Sequence, residues 1–395
     1  MLAYLLHVTE QVMPRWVQFA IFFLMVTLIY FGAHFYVYRR MVVALSLQDS
    51  DYLAWIRLAT LFLILTFPVS RLMVRGIGIN IATKAFDWLA CAWMGMFFYL
   101  FLGALIAHIV SLAFSAAGVW PVVGKVLTPR VSVSLVASAA IALSIYGYIE
   151  ARWTLTTTRI EVPVKNLPPE RDGFTIAQIS DIHMGVIVAD RSIKKMVEEV
   201  NSLKPDLVVI TGDLVDEDAN HLEHLTGTLK SLSAPNGVLA VTGNHDFYAG
   251  VDRVVANAAS AGVRFLRNAK TTIAGFLDVY GADDPTSAQF AGGRIAPESL
   301  LGPEAMDRPT VFLYHQPIRI EEMAARGADL LLSGHTHKGQ IWPISYISRR
   351  IYPYQTGLYK IGKSSLYVSR GIGTWGPPLR VDSVPEIVLI TLRRR

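Results

Sequence analysis

With a single cysteine, Cys91, in 395 residues, the chain cannot close an internal disulfide, and a reducing compartment fits that usage. Charge is scarce as well. Asp, Glu, Lys and Arg supply 17% of residues, against roughly 25% in ordinary soluble domains, while 52% are hydrophobic. The shortage lies before Glu150, and charge is ordinary after it, which joins a membrane region to a soluble one. No internal repeat or low-complexity segment is present. The net charge of +5 does not point to nucleic acid, because the basic residues are scattered and form no stripe. Arginines and lysines at membrane ends account for much of the excess, so no nucleic-acid partner is expected.

About 20 mostly apolar residues cross a bilayer as a helix. Trp16 to Tyr38 and Val131 to Ile149 do so without one Asp, Glu, Lys or Arg. The first run lacks a small-residue cleavage site and ends in Tyr38-Arg39-Arg40, so it reads as a retained anchor. Trp88 to Gly124 is uncharged and longer than one span needs, so its end around Trp120-Pro121 is expected to be re-entrant or interfacial. In Trp55 to Val74, Arg57 and Arg71 must snorkel to the headgroups. Four spans follow, at 16–38, 55–74, 88–114 and 131–149, in an all-α region 1–153. The distribution of lysines and arginines then leans toward the N-terminus and the soluble part on the cytoplasmic side of the membrane. His34 and His108 lie within spans and read as neutral histidines bonded to neighbouring helices. No pair of opposite charges inside the spans is expected.

The pattern changes from Phe174. Short apolar runs at 174–179, 207–210 and 238–241 read as strands, with helices from Asp190 and around 220–232. Further strands are expected at 277–280, 311–314, 330–332, 366–368 and 387–392, which makes an α/β sandwich with a mixed sheet. Residues 154–172, with Pro163, Pro168 and Pro169, read as a linker leading into a domain over 173–395.

Polar residues gather where five strands end: Asp181-Ile182-His183, Gly212-Asp213-Leu214-Val215-Asp216, Gly243-Asn244-His245-Asp246, His315 and Gly334-His335-Thr336-His337. Ligands of open α/β sheets bind beyond the carboxyl ends of strands. Taken singly, each motif is ordinary turn or cap chemistry. Together in one domain they point to a metal site. Imidazole, carboxylate and amide oxygen suit Mn²⁺, Fe or Zn²⁺, and two such ions offset the charge of a phosphate ester under attack. The pair His221 and His224 lies three apart on the expected helix without a third ligand. Asp283 and Asp284 read as loop residues near the mouth of the site. Arg370, Trp375 and Arg380 either line a substrate groove or serve the structure, the latter being the safer reading of each.

The ordered set Asp181-x-His183, Gly212-Asp213-x-x-Asp216, Gly243-Asn244-His245-Asp246, His315 and Gly334-His335-x-His337 resembles the calcineurin-like metallophosphoesterases over roughly 160–392. Residues 238–246, 333–343 and 366–373 resemble the bacterial YkuE- and YaeI-type branch, and the apolar region lies outside that likeness. The resemblance implies a four-layer α/β sandwich with mixed sheets and two divalent ions, Mn²⁺ foremost. One ion would take Asp181, His183, Asp213 and His337, the other Asp213, Asn244, His315 and His335, with Asp213 as the bridge. It implies in-line attack by a metal-bridging hydroxide, with His245 stabilising the phosphoryl group or protonating the leaving oxygen and Asp246 orienting its ring. Asp216 would support its loop. Lys338 stands where that branch commonly has glycine and could meet a second phosphate or an anionic headgroup. Four spans exceed what a tether needs, so the expected substrate is a phospholipid or a lipid-linked nucleotide. The alternative is a transporter or sensor whose phosphoesterase domain is regulatory or inactive.

Overall fold

The structure, a computed structural model, describes residues 15–188, 190–216, 227–290 and 295–395. Its contacts divide it into two units, 1–78 with 85–144, and 79–84 with 145–395. Helices α1 (Arg15–Ala44), α2 (Leu53–Ile77), α3 (Ile81–Ala116) and α4 (Pro129–Trp153) account for the apolar region. Of these, α2, α3 and α4 are each long and apolar enough to cross a membrane. The expected first span, 16–38, falls within the 30-residue α1. A short helical turn, Trp120–Val123, follows α3 in place of a continued span. Leu58, Leu72, Leu112 and Leu135 stand exposed on the last three helices, as side chains facing lipid would.

Within the first unit, both histidines expected in spans find partners. The His34 Nδ1–H donates to the Tyr30 carbonyl at 2.8 Å, and Trp93 Nε1–H donates to His34 Nε2 at 3.3 Å. The ring stacks on Phe97 at 3.5 Å between centroids. His108 Nδ1 lies 3.1 Å from the Tyr36 hydroxyl. The absence of paired charges expected from the sequence is overturned: Arg71 of α2 donates to buried Asp87 of α3. Asp87 sits one residue before the uncharged run, and the helical register of α3 turns it onto α2. Arg71 therefore meets a carboxylate where snorkelling was expected.

The second unit holds two six-stranded sheets in face-to-face layers. The first runs in the order β1 (Thr156–Val164), β12 (Glu386–Arg394), β2 (Thr175–Ile179), β3 (Leu207–Thr211), β4 (Val238–Val241) and β5 (Val263–Phe265). The second runs β10 (Gly357–Ile361), β11 (Ser364–Val368), β9 (Leu330–Ser333), β8 (Thr310–Leu313), β7 (Leu277–Gly281) and β6 (Ala269–Ile273). Pairing is parallel from β2 to β5 and from β7 through β8 and β9 to β11. It is antiparallel at β12–β2, β6–β7 and β10–β11, so both sheets are mixed.

Alternation along the strands builds three apolar layers. Ile176, Leu207, Val209, Leu239 and Val241 face Leu277, Val279, Val311, Leu313 and Leu332 across the two sheets. The other residues of the same strands, Ala177, Ile179, Val208 and Ile210, pack against Ile193, Met196 and Val200 of α5 (Asp190–Ser202), below the motif loops of β2–β4. Helices α6 (Asn244–Ala249) and α7 (Val251–Ser260) follow β4. On the far face, Ile320 and Met323 of α8 (Ile320–Ala325) cover Phe312, Leu331 and Leu366. The result is helix, sheet, sheet, helix, with each fully buried Ile or Leu contributing about 1.5–3 kcal/mol.

One expectation needs correction here. Residues 154–172 are not a plain linker, because Thr156–Val164 forms β1, parallel to β12 along nine residue pairs. The β-branched run Thr156-Thr157-Thr158 favours strand, and an edge position tolerates Pro163, which has no N–H for a ladder. The last turns of α4, from Ile145, also belong to this unit: the Gly147 carbonyl accepts from Arg380 N–H at 2.9 Å.

Candidate metal centre

The loops leaving β2, β3, β4, β8 and β9 carry the five motifs to one rim. Backbone bonds lace them together: Asp181 N–H donates to the Gly212 carbonyl and His183 N–H to the Asp213 carbonyl, both at 3.0 Å. Asp181, His183, Asp213, His335 and His337 all hold left-handed backbone, with φ from 47° to 70°. That conformation costs energy in residues with a Cβ and persists where surroundings over-determine it, commonly at functional sites. Two glycines make room. Gly212, at φ 93°, leaves space for the His315 ring, and a Cβ on Gly243 would strike Asp213 Oδ1.

Three groups of side chains place their donor atoms within 4.8 Å of one another: Asp181, His183 and His337; His183, Asp213 and His245; and Asp213, His315 and His335. Asp213 lies between the outer two, its Oδ2 3.1 Å from His315 Nε2 and 3.7 Å from His183 Nε2. His337 Nε2 is 3.2 Å from Asp181 Oδ1 and 3.1 Å from His183 Nε2. His335 Nδ1 is 3.2 Å from His315 Nε2. Six of the seven residues expected to bind metal therefore meet on this rim, and the seventh, Asn244, lines the same cavity as Asp213, His335 and His337.

The donor set fits divalent cations. Asn244 Oδ1 is buried and accepts no hydrogen bond, although an orphaned buried acceptor costs free energy. Burial would push the Asp213 carboxyl up, but His315, His183 and His245 more than reverse this and hold it far below the usual range. Burial similarly opposes ionisation of Asp181, and His337 overrides it. Burial, with the charge of His315, brings His335 down to about 3, and burial brings His337 down to about 4. Both are neutral imidazoles at pH 7, the form that binds metal.

His245 stands beside these groups. Its Nδ1 lies 3.1 Å from Asp216 Oδ1 and 3.1 Å from the Asp216 carbonyl. Burial alone would lower its pKa, but Asp216 and the charge of Asp213 raise it to about 9. The ring is held by Asp216 and not by Asp246. Asp246 accepts instead from Gly243 N–H at 2.8 Å and Val215 N–H at 3.1 Å. As the third residue of α6, its side chain folds back onto the helix start.

The groove candidates separate. Trp375 lines a cavity of about 340 Å³ over the rim, its ring 6.4 Å from that of His245. Lys338 pairs with Asp382 at 2.8 Å in a partly exposed contact, which binds weakly enough to break. Arg370 is drawn off to Glu386 at 2.7 Å and does not line the cavity. Arg380 is fully buried and donates to His337 Nδ1 at 3.0 Å, so it lines no groove. Asp283 and Asp284 lie in a loop, as expected, and are buried there, accepting from Thr242 and Gln316, and neither lines the cavity. His221 and His224 lie outside the described residues. Tyr352, whose hydroxyl is 2.7 Å from His335 Nε2, carried no sequence signal because its partner is 17 residues away.

Metal removal tests the fit. A ligand at one hundred times its Kd adds about 2.7 kcal/mol of stability, worth roughly 5–10 °C in a domain of this size. Chelator is expected to lower the melting temperature by that much and Mn²⁺ to restore it. Asn244→Ala should shrink the shift, as followed by intrinsic fluorescence.

Residues 174–339 match the family described as calcineurin-like phosphoesterase. A Bos taurus protein, "Transmembrane protein with metallophosphoesterase domain", is 34% identical over 266 residues, covering 64% of this chain and 60% of the relative. The chain thus spans less than two thirds of that relative's length. An uncharacterized metallophosphoesterase of Aquifex aeolicus is 32% identical over 258 residues, 64% of this chain and 97% of the relative. The Bacillus subtilis metallophosphoesterase YkuE is 31% identical over 277 residues, covering 66% and 94%. With relatives matched over nearly their whole length and the donor side chains of all five motifs on one rim, the chain belongs to the calcineurin-like metallophosphoesterase family.

Proposed function

We propose that this chain hydrolyses a phosphomonoester, phosphodiester or pyrophosphate with two divalent metal ions, and that its substrate is a phospholipid or a lipid-linked nucleotide. The observation that supports this best is Asp213, whose carboxylate lies between one cluster of Asp181, His183 and His337 and the pair His315 and His335. Asp181, His183, Asp213 and His337 would hold one ion, and Asp213, Asn244, His315 and His335 the other, with Mn²⁺ foremost and Fe or Zn²⁺ as alternatives. When bound, such ions neutralise phosphoryl charge and activate water.

The side chains divide the remaining work. His245, charged at neutral pH through Asp216, faces the cavity beside Asn244 and supplies a proton. Water adds to phosphorus and releases a proton to solvent, the bond from phosphorus to the leaving oxygen breaks, and His245 protonates that oxygen. Asp216 holds the ring through both an oxygen of its side chain and its carbonyl. Trp375 lines the same cavity, its ring 6.4 Å from that of His245. The apolar helices α2 to α4 support a membrane protein, and our reading is that the chemistry lies at the cytoplasmic face of a bacterial inner membrane.

A second reading, a transporter or sensor regulated by the phosphoesterase unit, draws support from the Arg71–Asp87 pair, since intramembrane ion pairs often mark transport paths. Turnover separates the two. Purified full-length protein should hydrolyse bis-p-nitrophenyl phosphate with Mn²⁺ or Zn²⁺ and stop in chelator. His245→Gln should lose about 10²-fold in kcat with metal content unchanged. Two bound ions without turnover of any phosphoester would favour the second reading.

A further inference from the structure

We infer that helix α9 (Ile344–Ile351) forms an apolar track, continuous with the metal rim, that takes the acyl chain of a lipid phosphoester. The inference rests on the phosphoesterase reading above and names where the lipid part of the substrate lies. The helix reads Ile-Ser-Tyr-Ile-Ser-Arg-Arg-Ile, so Ile344, Ile347 and Ile351 fall at helical spacing on one face. A surface helix of a soluble domain turns such a stripe to its core. Here the arrangement is reversed: the buried residue is Ser345, whose carbonyl accepts from Gln355 Nε2 at 2.7 Å. Ile347 and Ile351 are 64% and 66% exposed.

That stripe has a defined neighbour. Ile344, Ile347 and Ile351 form one wall of the same cavity of about 340 Å³ that Asp213, Asn244 and His245 line on the metal side. Trp375, half exposed, lines it as well. A phosphate near His245 would thus have an apolar surface within its own cavity and not across open solvent. Arg349 and Arg350, exposed on the same helix, complement an anionic headgroup or interface. The foot of the helix is fixed. Ile341 bridges Val381, and Trp342 N–H donates to the Val381 carbonyl at 3.0 Å. Val381 in turn packs on Gly147, in the last turns of α4. The track is therefore anchored to the helix end that leads out of the apolar region. A short-chain or free nucleotide substrate would leave the stripe in water.

The test uses full-length protein in nanodiscs, Mn²⁺, and p-nitrophenyl phosphodiesters carrying ethyl, octyl or tetradecyl chains. Each fully buried methylene favours binding about fourfold, so six added methylenes set a ceiling of about 4×10³, and on a track open to solvent on one side the octyl ester should exceed the ethyl ester in kcat/KM by on the order of 10². Partition into the bilayer adds to the wild type and to variants alike. Ile347→Asp with Ile351→Asp should cut the octyl-to-ethyl ratio at least tenfold, and Ile347→Ser with Ile351→Ser should cut it less. Both positions are largely exposed, so folding is checked by an unchanged Mn²⁺-dependent melting shift. An unchanged ratio in both variants, with the ethyl ester still turned over, would overturn the track and leave the phosphoesterase reading standing. No metal-dependent turnover of any ester by the wild type would overturn that reading, and the track with it.

Discussion

Asp213→Asn is expected to lower kcat by about 10³-fold or more and to remove most bound metal, while the protein keeps its fold. Asn has the same shape as the Asp213 it replaces, which is 2% exposed, so packing is conserved. The chemistry is not. Asp213 Oδ1 accepts from His245 N–H at 2.9 Å, so the amide of an asparagine must keep its oxygen there. Its NH₂ then takes the place of Oδ2 and points two donors at His315 Nε2 and His183 Nε2. A site that needs an acceptor between two clusters acquires a pair of hydrogens. The charge that raises the pKa of His315 and His245 is lost at the same time. Metal content per chain and turnover of bis-p-nitrophenyl phosphate should fall together. Wild-type metal content and turnover in the variant would exclude Asp213 as the shared ligand.

The rim was legible in the sequence because its motifs depend on local order. Each follows a short apolar run, and the strands at 207–211, 238–241 and 330–333 lie where alternation and β-branching place them. What periodicity cannot show is which side chain reaches which. Asp246 adjoins His245, yet the first turn of α6 directs it to Gly243 N–H, and the more distant Asp216 takes the ring. Edge strands were harder still. β1 and β10 pair on one side only, and β10 alternates half-buried and exposed positions without a continuous apolar run. Arg380 shows the same difficulty for charge. Arginine is rarely buried, so a groove and a structural role were both open to it in the sequence, and only the fold reveals the carbonyls that surround it.

Arg380→Met is expected to destabilise the α/β unit by about 3–5 kcal/mol, or roughly 8–15 °C in melting temperature. The guanidinium is wholly buried. Burial draws its pKa down to about 10, which still leaves it charged at pH 7. Its charge is met by fixed dipoles: Nε–H donates to the Gly373 carbonyl at 2.9 Å, and Nη1–H to the carbonyls of Arg370 and Ser383 at 2.9 and 3.1 Å. Nη2–H donates to His337 Nδ1. Methionine fills much of the volume but satisfies none of these acceptors, and each buried orphan costs about 1–3 kcal/mol. Lysine is no substitute, because one ammonium cannot reproduce a planar fork. With Nδ1 accepting from Arg380, His337 is turned so that Nε2 faces Asp181 and His183. The variant should therefore lose metal affinity beyond its loss of stability, read as a smaller Mn²⁺-dependent melting shift at a temperature where it remains folded. A melting temperature within 2 °C of wild type would show that the loop from Gly373 to Ser383 holds its shape without the guanidinium. An unchanged metal shift would show that His337 keeps its orientation through Asp181 alone.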